Sequence, residues 1–331
     1  MALLSYRATF LGLVLASVAI ASADARQFRS SDVQPIDSPT VEAVAHMGEL
    51  LRQRTGGRYG IDVEHGDKDS ENFTIAQVRT GTLDMARVNL AVFNSMVPAT
   101  IVPSLPFLFR STGHMRRVLD GPIGDQILAS MESEGFIGLC FYDMGARSFY
   151  SRKGPIHSVD DMKGLAVRVQ PSDISVEMIK AMGARPVAVP FDRITAALKA
   201  GVIDVSENSW PAYVGAGHDR VAKYYSLTEH SMMPGVLVFS KRVWTELSPA
   251  DRRAVRAVAK ESVSFMRDRL DRYQVAARLK AEKSGSEVID TVDRKSFADV
   301  LIPLYPTLLP APFLQAMIRQ VQADAEVSSV P

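Results

Sequence analysis

The sequence predicts an α/β fold. Three observations carry that reading. Strand-like and helix-like stretches alternate along the chain, the mark of helices packed on a sheet. Two stretches repeat one plan of helix, glycine and strand. The chain has 331 residues, 47% hydrophobic and 23% charged, which suits one large folded domain or two of ordinary size.

The first element stands outside the fold. Residues 1–25 read as an export signal. Arg7 gives a positive start, Phe10 to Ile20 is almost wholly apolar, and Ala23-Asp24-Ala25 fits a small-x-small cleavage site. The apolar run is short for a membrane span, which needs about 20 residues; an uncleaved anchor is the alternative. No later stretch reaches about 18 apolar residues. The expectation is a protein exported to the periplasm and cut after Ala25.

Residues 37–55 then read as a helix. Ser38 caps it, Pro39 suits its first turn, Val44, Met47 and Leu51 share one face, and Gly56-Gly57 stops it. Gly60 to Glu64 reads as a strand, Phe73 to Arg79 as a helix, and Thr82 to Val88 as a strand. Further on, Leu165 to Gln170 alternates as a strand. A helix near Ile174 to Met182 and a strand at Pro186 to Val189 follow. Next come a helix at Arg193 to Lys199 and a strand at Val202 to Val205. Residues 248–284 read as one long charged helix, capped at Ser248 with Pro249 in its first turn. Pro303, Pro306, Pro310 and Pro312 cut the tail into short pieces.

The repeated plan is Ile75 to Asp84 against Ile194 to Asp204. Each runs helix, glycine, strand, with Gly81 and Gly201 at the helix ends and an aspartate three residues later. Two lobes built alike would each give a loop and a strand end to a shared cleft, since ligands sit beyond the carboxyl ends of strands in open α/β sheets. That sets Glu71 and Asn89 opposite Phe191 and Asn208.

Much chemistry is excluded. Lys+Arg number 38 and Asp+Glu 37, so there is no basic excess for nucleic acid. The single Cys140 allows no intrachain disulfide and no cysteine zinc cluster. There is no Walker loop, no His-Glu-x-x-His and no Gly-x-Ser-x-Gly; Gly215-Ala-Gly217 lacks the third glycine of a dinucleotide fingerprint. The six histidines show no ligand spacing. No catalytic residue, metal or cofactor is expected.

Arg168 is the informative residue. Alternation puts Leu165, Val167 and Val169 on one face and Arg168 and Gln170 on the other. An arginine near the end of an apolar strand needs a partner. That partner is either a protein carboxylate or a ligand carboxylate, which a guanidinium fork suits. Arg147 is a second candidate. Asn208 and Trp210 close the strand after Asp204, with loop packing as the plain alternative.

Here the chain resembles a family. It is similar to the periplasmic solute-binding subunits of tripartite ATP-independent periplasmic (TRAP) transporters, of the C4-dicarboxylate-binding (DctP) type. The resemblance spans nearly all the chain after the leader. It rests on Ser104-Leu-Pro-Phe-Leu-Phe109, Gly145-Ala-Arg147, Asp160-Asp-Met-Lys-Gly164, Arg168-Val-Gln-Pro171, Pro190-Phe191, Ala197-Leu-x-x-Gly201, Ile203-Asp204, Glu207-Asn208 and Leu227-Thr-Glu-His230.

The resemblance implies a two-lobed periplasmic binding protein fold, type II-like, with a ligand cleft between lobes and a long helix spanning both. Lobe I would take residues 26–145 and about 235–273, lobe II about 146–234 and 274–331. It further implies that Arg168 clamps a carboxylate, Arg147 assists, Phe191 covers the ligand and Asn208 hydrogen-bonds it. Gln34, Glu71 and Asn89 would meet the rest of the ligand, with Gln170 and Trp210 at the same site. Asp204-Val205-Ser206-Glu207-Asn208 departs from the family's Asp-Gly-Gln-Glu-Asn, and Lys68-Asp69 from its usual Leu-Gly.

Ser31-Asp-Val-Gln-Pro35 and Glu207-Asn-Ser-Trp-Pro211 are most similar to the branch that binds sugar acids such as glucuronate and galacturonate. A wall of Gln34, Glu71 and Asn89 suits hydroxyls, whereas a C4-dicarboxylate needs a second cation at its far end. The expected partners are TRAP membrane subunits, with a monomer delivering the solute after hinge closure. A sensor-presenting binding protein and an enzyme acting on such acids are the competing classes.

Overall fold

The computed structural model describes residues 25–66, 70–170, 173–232 and 234–327. The leader up to Asp24 and the Lys68-Asp69 departure lie outside the described residues.

The strands are β1 (Arg26–Asp32), β2 (Tyr59–His65), β3 (Met85–Asn89), β4 (Phe136–Tyr142), β5 (Arg147–Ser151), β6 (Ala166–Val169), β7 (Arg185–Ala188), β8 (Val205–Asn208), β9 (Tyr224–Ser231), β10 (Gly235–Ser240) and β11 (Glu287–Ile289). They form a five-stranded sheet, β2-β1-β3-β10-β4, and a six-stranded sheet, β11-β9-β5-β8-β6-β7. Each sheet is the centre of one lobe.

The same unit stands in both. β1 pairs in parallel with β2 and β3. β6 pairs in parallel with β7 and β8. An antiparallel strand follows next to each, β10 beside β3 and β5 beside β8. The chain crosses between sheets twice, from β4 to β5 through residues 143–146 and again between the end of β9 at Ser231 and the start of β10 at Gly235.

The repeated helix ends explain the repeat. The helices Glu71–Thr80 and Ile194–Ala200 both stop at a left-handed glycine, Gly81 at φ 79° and Gly201 at φ 72°. In that region a side chain clashes with its own backbone, so glycine is favoured. The aspartate three residues on then does one job in both lobes. Asp84 Oδ2 accepts from the Arg29 amide at 2.8 Å, and Asp204 Oδ2 from the Ala166 amide at 3.1 Å. Each pins its turn to the neighbouring parallel strand. This is why β3 and β8 start at Met85 and Val205, later than the pattern reading at Thr82 and Val202: the intervening residues are spent on the turn.

Both faces of each sheet are covered by apolar packing. Phe28, Leu237 and Phe239 face the helix Pro39–Arg54 and the long helix Pro249–Lys283. Val88, Phe141 and Val238 face the other side. In the second sheet Phe149, Val167 and Val205 face one core, and Tyr150, Tyr213 and Tyr225 the other. The long helix touches helix Pro39–Arg54 and β4 of the first lobe and helix Trp210–Gly215 of the second. It therefore spans both.

Two tail expectations are corrected. Pro312 opens a 16-residue helix, Pro312–Val327, and does not end one, because proline is well tolerated at a helix's first position. Tyr305, Leu309 and this helix's Leu314, Met317, Ile318 and Val321 pack on the first lobe's core, so this part of the tail does not belong to the second lobe as the 274–331 boundary had it. The apolar stripe of the helix finds its partner in Val102, Leu105 and Val118.

Candidate functional site

In the second lobe, β5, β8 and β6 lie side by side. Tyr150 is the partner of Ser206, and Val167 of Val205. Pleating then puts Arg168, Ser206 and Tyr150 on one face, opposite the Val167 and Val205 side. The alternation read from the sequence at 165–170 is the one observed.

Arg168 is 5% exposed. Its Nε donates to the Val189 carbonyl at 3.0 Å. Its Nη1 is buried with no hydrogen-bond partner among the described residues, and no carboxylate among them pairs with it. Burial lowers its pKa from the ordinary arginine value; Glu207 works against that shift and Arg147 adds to it.

Arg147 is, by contrast, fully engaged. Its Nε and Nη2 grip Glu207 at 2.5 and 2.7 Å, Nη2 also reaches the Glu207 carbonyl at 3.2 Å, and Nη1 donates to Asn208 Oδ1 at 2.9 Å. Burial pushes the Glu207 carboxyl up, but Arg147 beside it outweighs this and holds it at about 2. Fully buried His230 sits behind, its Nε2 3.6 Å from Glu207 and its ring stacked on Phe149. Asn208 spends its Oδ1 on Arg147 and on the Ser209 amide, leaving its Nδ2 to donate elsewhere.

Phe191 opens the short turn before helix Ile194–Ala200 and is 47% exposed, with its ring edge toward His218 at 5.6 Å. Gln170 lies partly buried just past β6. Trp210 is placed differently: it is in the lobe's core, stacked on Tyr225 at 3.8 Å.

The first lobe supplies Gln34, Glu71 and Asn89. Glu71 is the first residue of its helix, behind the cap Ser70. Its two carboxylate oxygens accept from the Asn89 amide at 2.9 Å and from Asn89 Nδ2 at 3.1 Å. Gln34 is held by its own backbone, whose amide donates to Asp32 Oδ1 at 2.9 Å.

Behind these lies a pair that the sequence reading missed. Arg87 of β3 is wholly buried and forks onto Asp32 at the end of β1, its Nε donating to Oδ2 at 2.7 Å. Thr40 donates to the same carboxylate at 2.8 Å. Arg87 Nη1 stands 3.9 Å from Glu71 and 3.8 Å from the Met144 sulfur in the crossing segment. So a cation does stand on the first lobe's side, but a protein carboxylate already neutralises it. The only sequence signal was an arginine inside an apolar strand, the one that singled out Arg168. The partner, 55 residues away, was not visible.

The second lobe thus carries a buried cation without a counter-charge among the described residues, and the first lobe carries the acceptor groups of Glu71 and Asn89. The chain belongs to the DctP family of bacterial extracellular solute-binding proteins, family 7, whose model matches residues 30–309; these are the extracytoplasmic binding subunits of TRAP transporters. A TRAP solute-binding protein from Xanthobacter autotrophicus, solved with bound β-D-galacturonate, is 47% identical, with TM-score 0.83 over 90% of this chain and 99% of that one. One from Chromohalobacter salexigens, solved with bound D-glucuronate, is 33% identical, with TM-score 0.85 over 90% and 99%. The 2,3-diketo-L-gulonate-binding periplasmic protein YiaO of Escherichia coli is 30% identical over 78% of this chain and 79% of its own. The family is one of transport binding proteins. Among the described residues no helix is long and apolar enough to cross a membrane.

Proposed function

We propose that this protein captures a hexuronate, D-glucuronate or D-galacturonate, and hands it as a monomer to TRAP membrane subunits. The observation that carries the proposal is Arg168, a buried guanidinium without a protein carboxylate among the described residues. A buried charge left unpaired is costly, and an ionised sugar acid supplies the missing partner. Its carboxylate takes the two parallel N–H groups of the fork, with Asn208 Nδ2 as a further donor and Phe191 over the sugar ring.

Glu71 supports the choice of a sugar acid over a dicarboxylate. Its oxygens accept hydrogen bonds, so hydroxyls suit it and a second carboxylate does not. Arg87 is committed to Asp32 and gives such a carboxylate no free cation. The homologues solved with galacturonate and glucuronate point the same way.

In this reading residues 1–25 are a leader removed on export, and the lobes close about the two crossings between the sheets, after β4 and after β9. Mass spectrometry of small molecules released from freshly purified, denatured protein tests the ligand. A thermal-shift panel should then rank the two uronates above succinate and malate, since a ligand of the native state raises the melting temperature. A clear preference for succinate would overturn the assignment.

A further inference from the structure

His218 stands in the second lobe against Tyr150 and Phe191, close enough to Arg168 to feel its charge, and has no part in the proposed carboxylate clamp. It is 1% exposed. Its Nδ1 is 2.7 Å from the Tyr150 hydroxyl, and Tyr150 stands in the cross-strand row of Ser206 and Arg168. Its ring meets the edge of Phe191. Nε2 makes no hydrogen bond with any described residue. Burial raises the Tyr150 phenol well above its usual range, so the hydroxyl keeps its proton. That hydroxyl either donates to Nδ1, which puts the imidazole proton on Nε2, or accepts from Nδ1–H.

We propose that His218 is a ligand-binding residue, an Nε2–H donor beside Arg168 that contacts the acid end of the bound sugar and makes its capture tighter in acid. This rests on the uronate reading above. The charged and titratable groups facing the ring are few. Arg168 comes from β6 and Tyr150 from β5. Asp219 is next in the chain and is bonded to Ser284. His230, the other buried imidazole of this lobe, faces Glu207 instead.

Burial, and then Arg168, hold His218 at about 4, with Asp219 acting weakly the other way. A ligand carboxylate between Arg168 and His218 adds an anion and raises that value. Binding therefore takes up a proton in the window just above the free value, and affinity rises as pH falls through it. A rise from about 4 to about 5 gives about a twofold gain between about pH 7 and about pH 5, and a rise to about 6 gives about tenfold. Glu207 stays ionised throughout that range, since its carboxyl is held at about 2.

Calorimetric titration of D-glucuronate and D-galacturonate into the mature protein, at about pH 7 and about pH 5, tests this. Wild type should bind more tightly at the lower pH. His218→Gln keeps an N–H donor but cannot titrate. It should bind within a few-fold at the higher pH and show a flat profile. His218→Phe loses the donor and should bind about tenfold to a hundredfold more weakly at both. Circular dichroism checks that each variant is folded; should His218→Phe not fold, the His218→Gln profile decides alone. If wild type binds a uronate and His218→Gln keeps its full pH response, the inference falls while the uronate reading stands. If wild type binds neither uronate, both fall.

Discussion

In the first lobe the third residue after Asp84 is Arg87; in the second the third residue after Asp204 is Glu207. One backbone plan thus carries opposite charges at matching places. Each is neutralised from a neighbouring strand, Arg87 by Asp32 of β1 and Glu207 by Arg147 of β5. The lobes differ in what is left over. The first has no buried arginine without a carboxylate among its described residues. The second keeps Arg168, whose Nη1 has no hydrogen-bond partner among the described residues. The lesson is that two pairs are closed within the protein, while Arg168 is left open for the ligand of the proposed function. Two buried arginines with the same local sequence signal, Arg87 and Arg168, differ in their partners, and only the partner tells them apart.

The largest effects should come from breaking the closed pairs. Arg87→Met strands Asp32, and Arg147→Met strands Glu207; removing one partner of a buried pair costs about 3–5 kcal/mol. Urea denaturation should show both losses, similar in the two lobes. A much smaller loss for Arg147 would mean that its pairing with Glu207 matters less to the fold than the first-lobe pair.

Acid should separate the lobes next. The Glu207 carboxyl is depressed from 4.5 to about 2. Its pairing with Arg147 is fully present above the unfolded value and is lost as pH falls through the folded one. Between about pH 4.5 and about pH 2 this removes on the order of 3 kcal/mol. Glu207→Gln should be less stable at neutral pH and should flatten the acid limb of the stability curve in that window. An unchanged acid limb would contradict the assignment of the charge to Glu207.

The smallest effects test the shared turn. Gly81→Ala and Gly201→Ala each put a side chain on a left-handed residue, costing about 1–2 kcal/mol. An added Cβ would meet only a flexible arginine in each case, Arg242 at 3.2 Å and Arg152 at 3.1 Å. Similar shifts in melting temperature are expected. A large difference between them would break the equivalence of the two units.

The parts of this comparison were not equally legible in the sequence. Local signals carried through: the alternation around Arg168, the capped long helix from Ser248, and the two helix–glycine–strand stretches. Each depends on residues a few positions apart. What was hidden depends on pairing across long distances. β4, β5, β9 and β10 form the crossings, and their order in the sheets brings together residues such as Arg147 and Ser231. Asp32 stood out only as part of the Ser31-to-Pro35 stretch, and its pairing with Arg87 appears once β1 and β3 lie side by side. His218 was one of six histidines without ligand spacing; its interest comes from Tyr150, 68 residues earlier. Trp210 was the reverse case. Its place beside Asn208 suggested the cleft, but Tyr225 draws it into the core.

Arg168→Ala tests the central claim most directly, measured twice: uronate affinity by calorimetry, and unfolding free energy without ligand. Losing the clamp should weaken binding about a thousandfold, because about 3–5 kcal/mol is lost and each 1.4 kcal/mol is tenfold. The ligand-free protein should be as stable as wild type or more so, since a buried cation without a partner has been removed. That is the opposite sign to Arg87→Met and Arg147→Met. Binding within a few-fold of wild type, or a ligand-free protein destabilised as strongly as those two variants, would contradict the account.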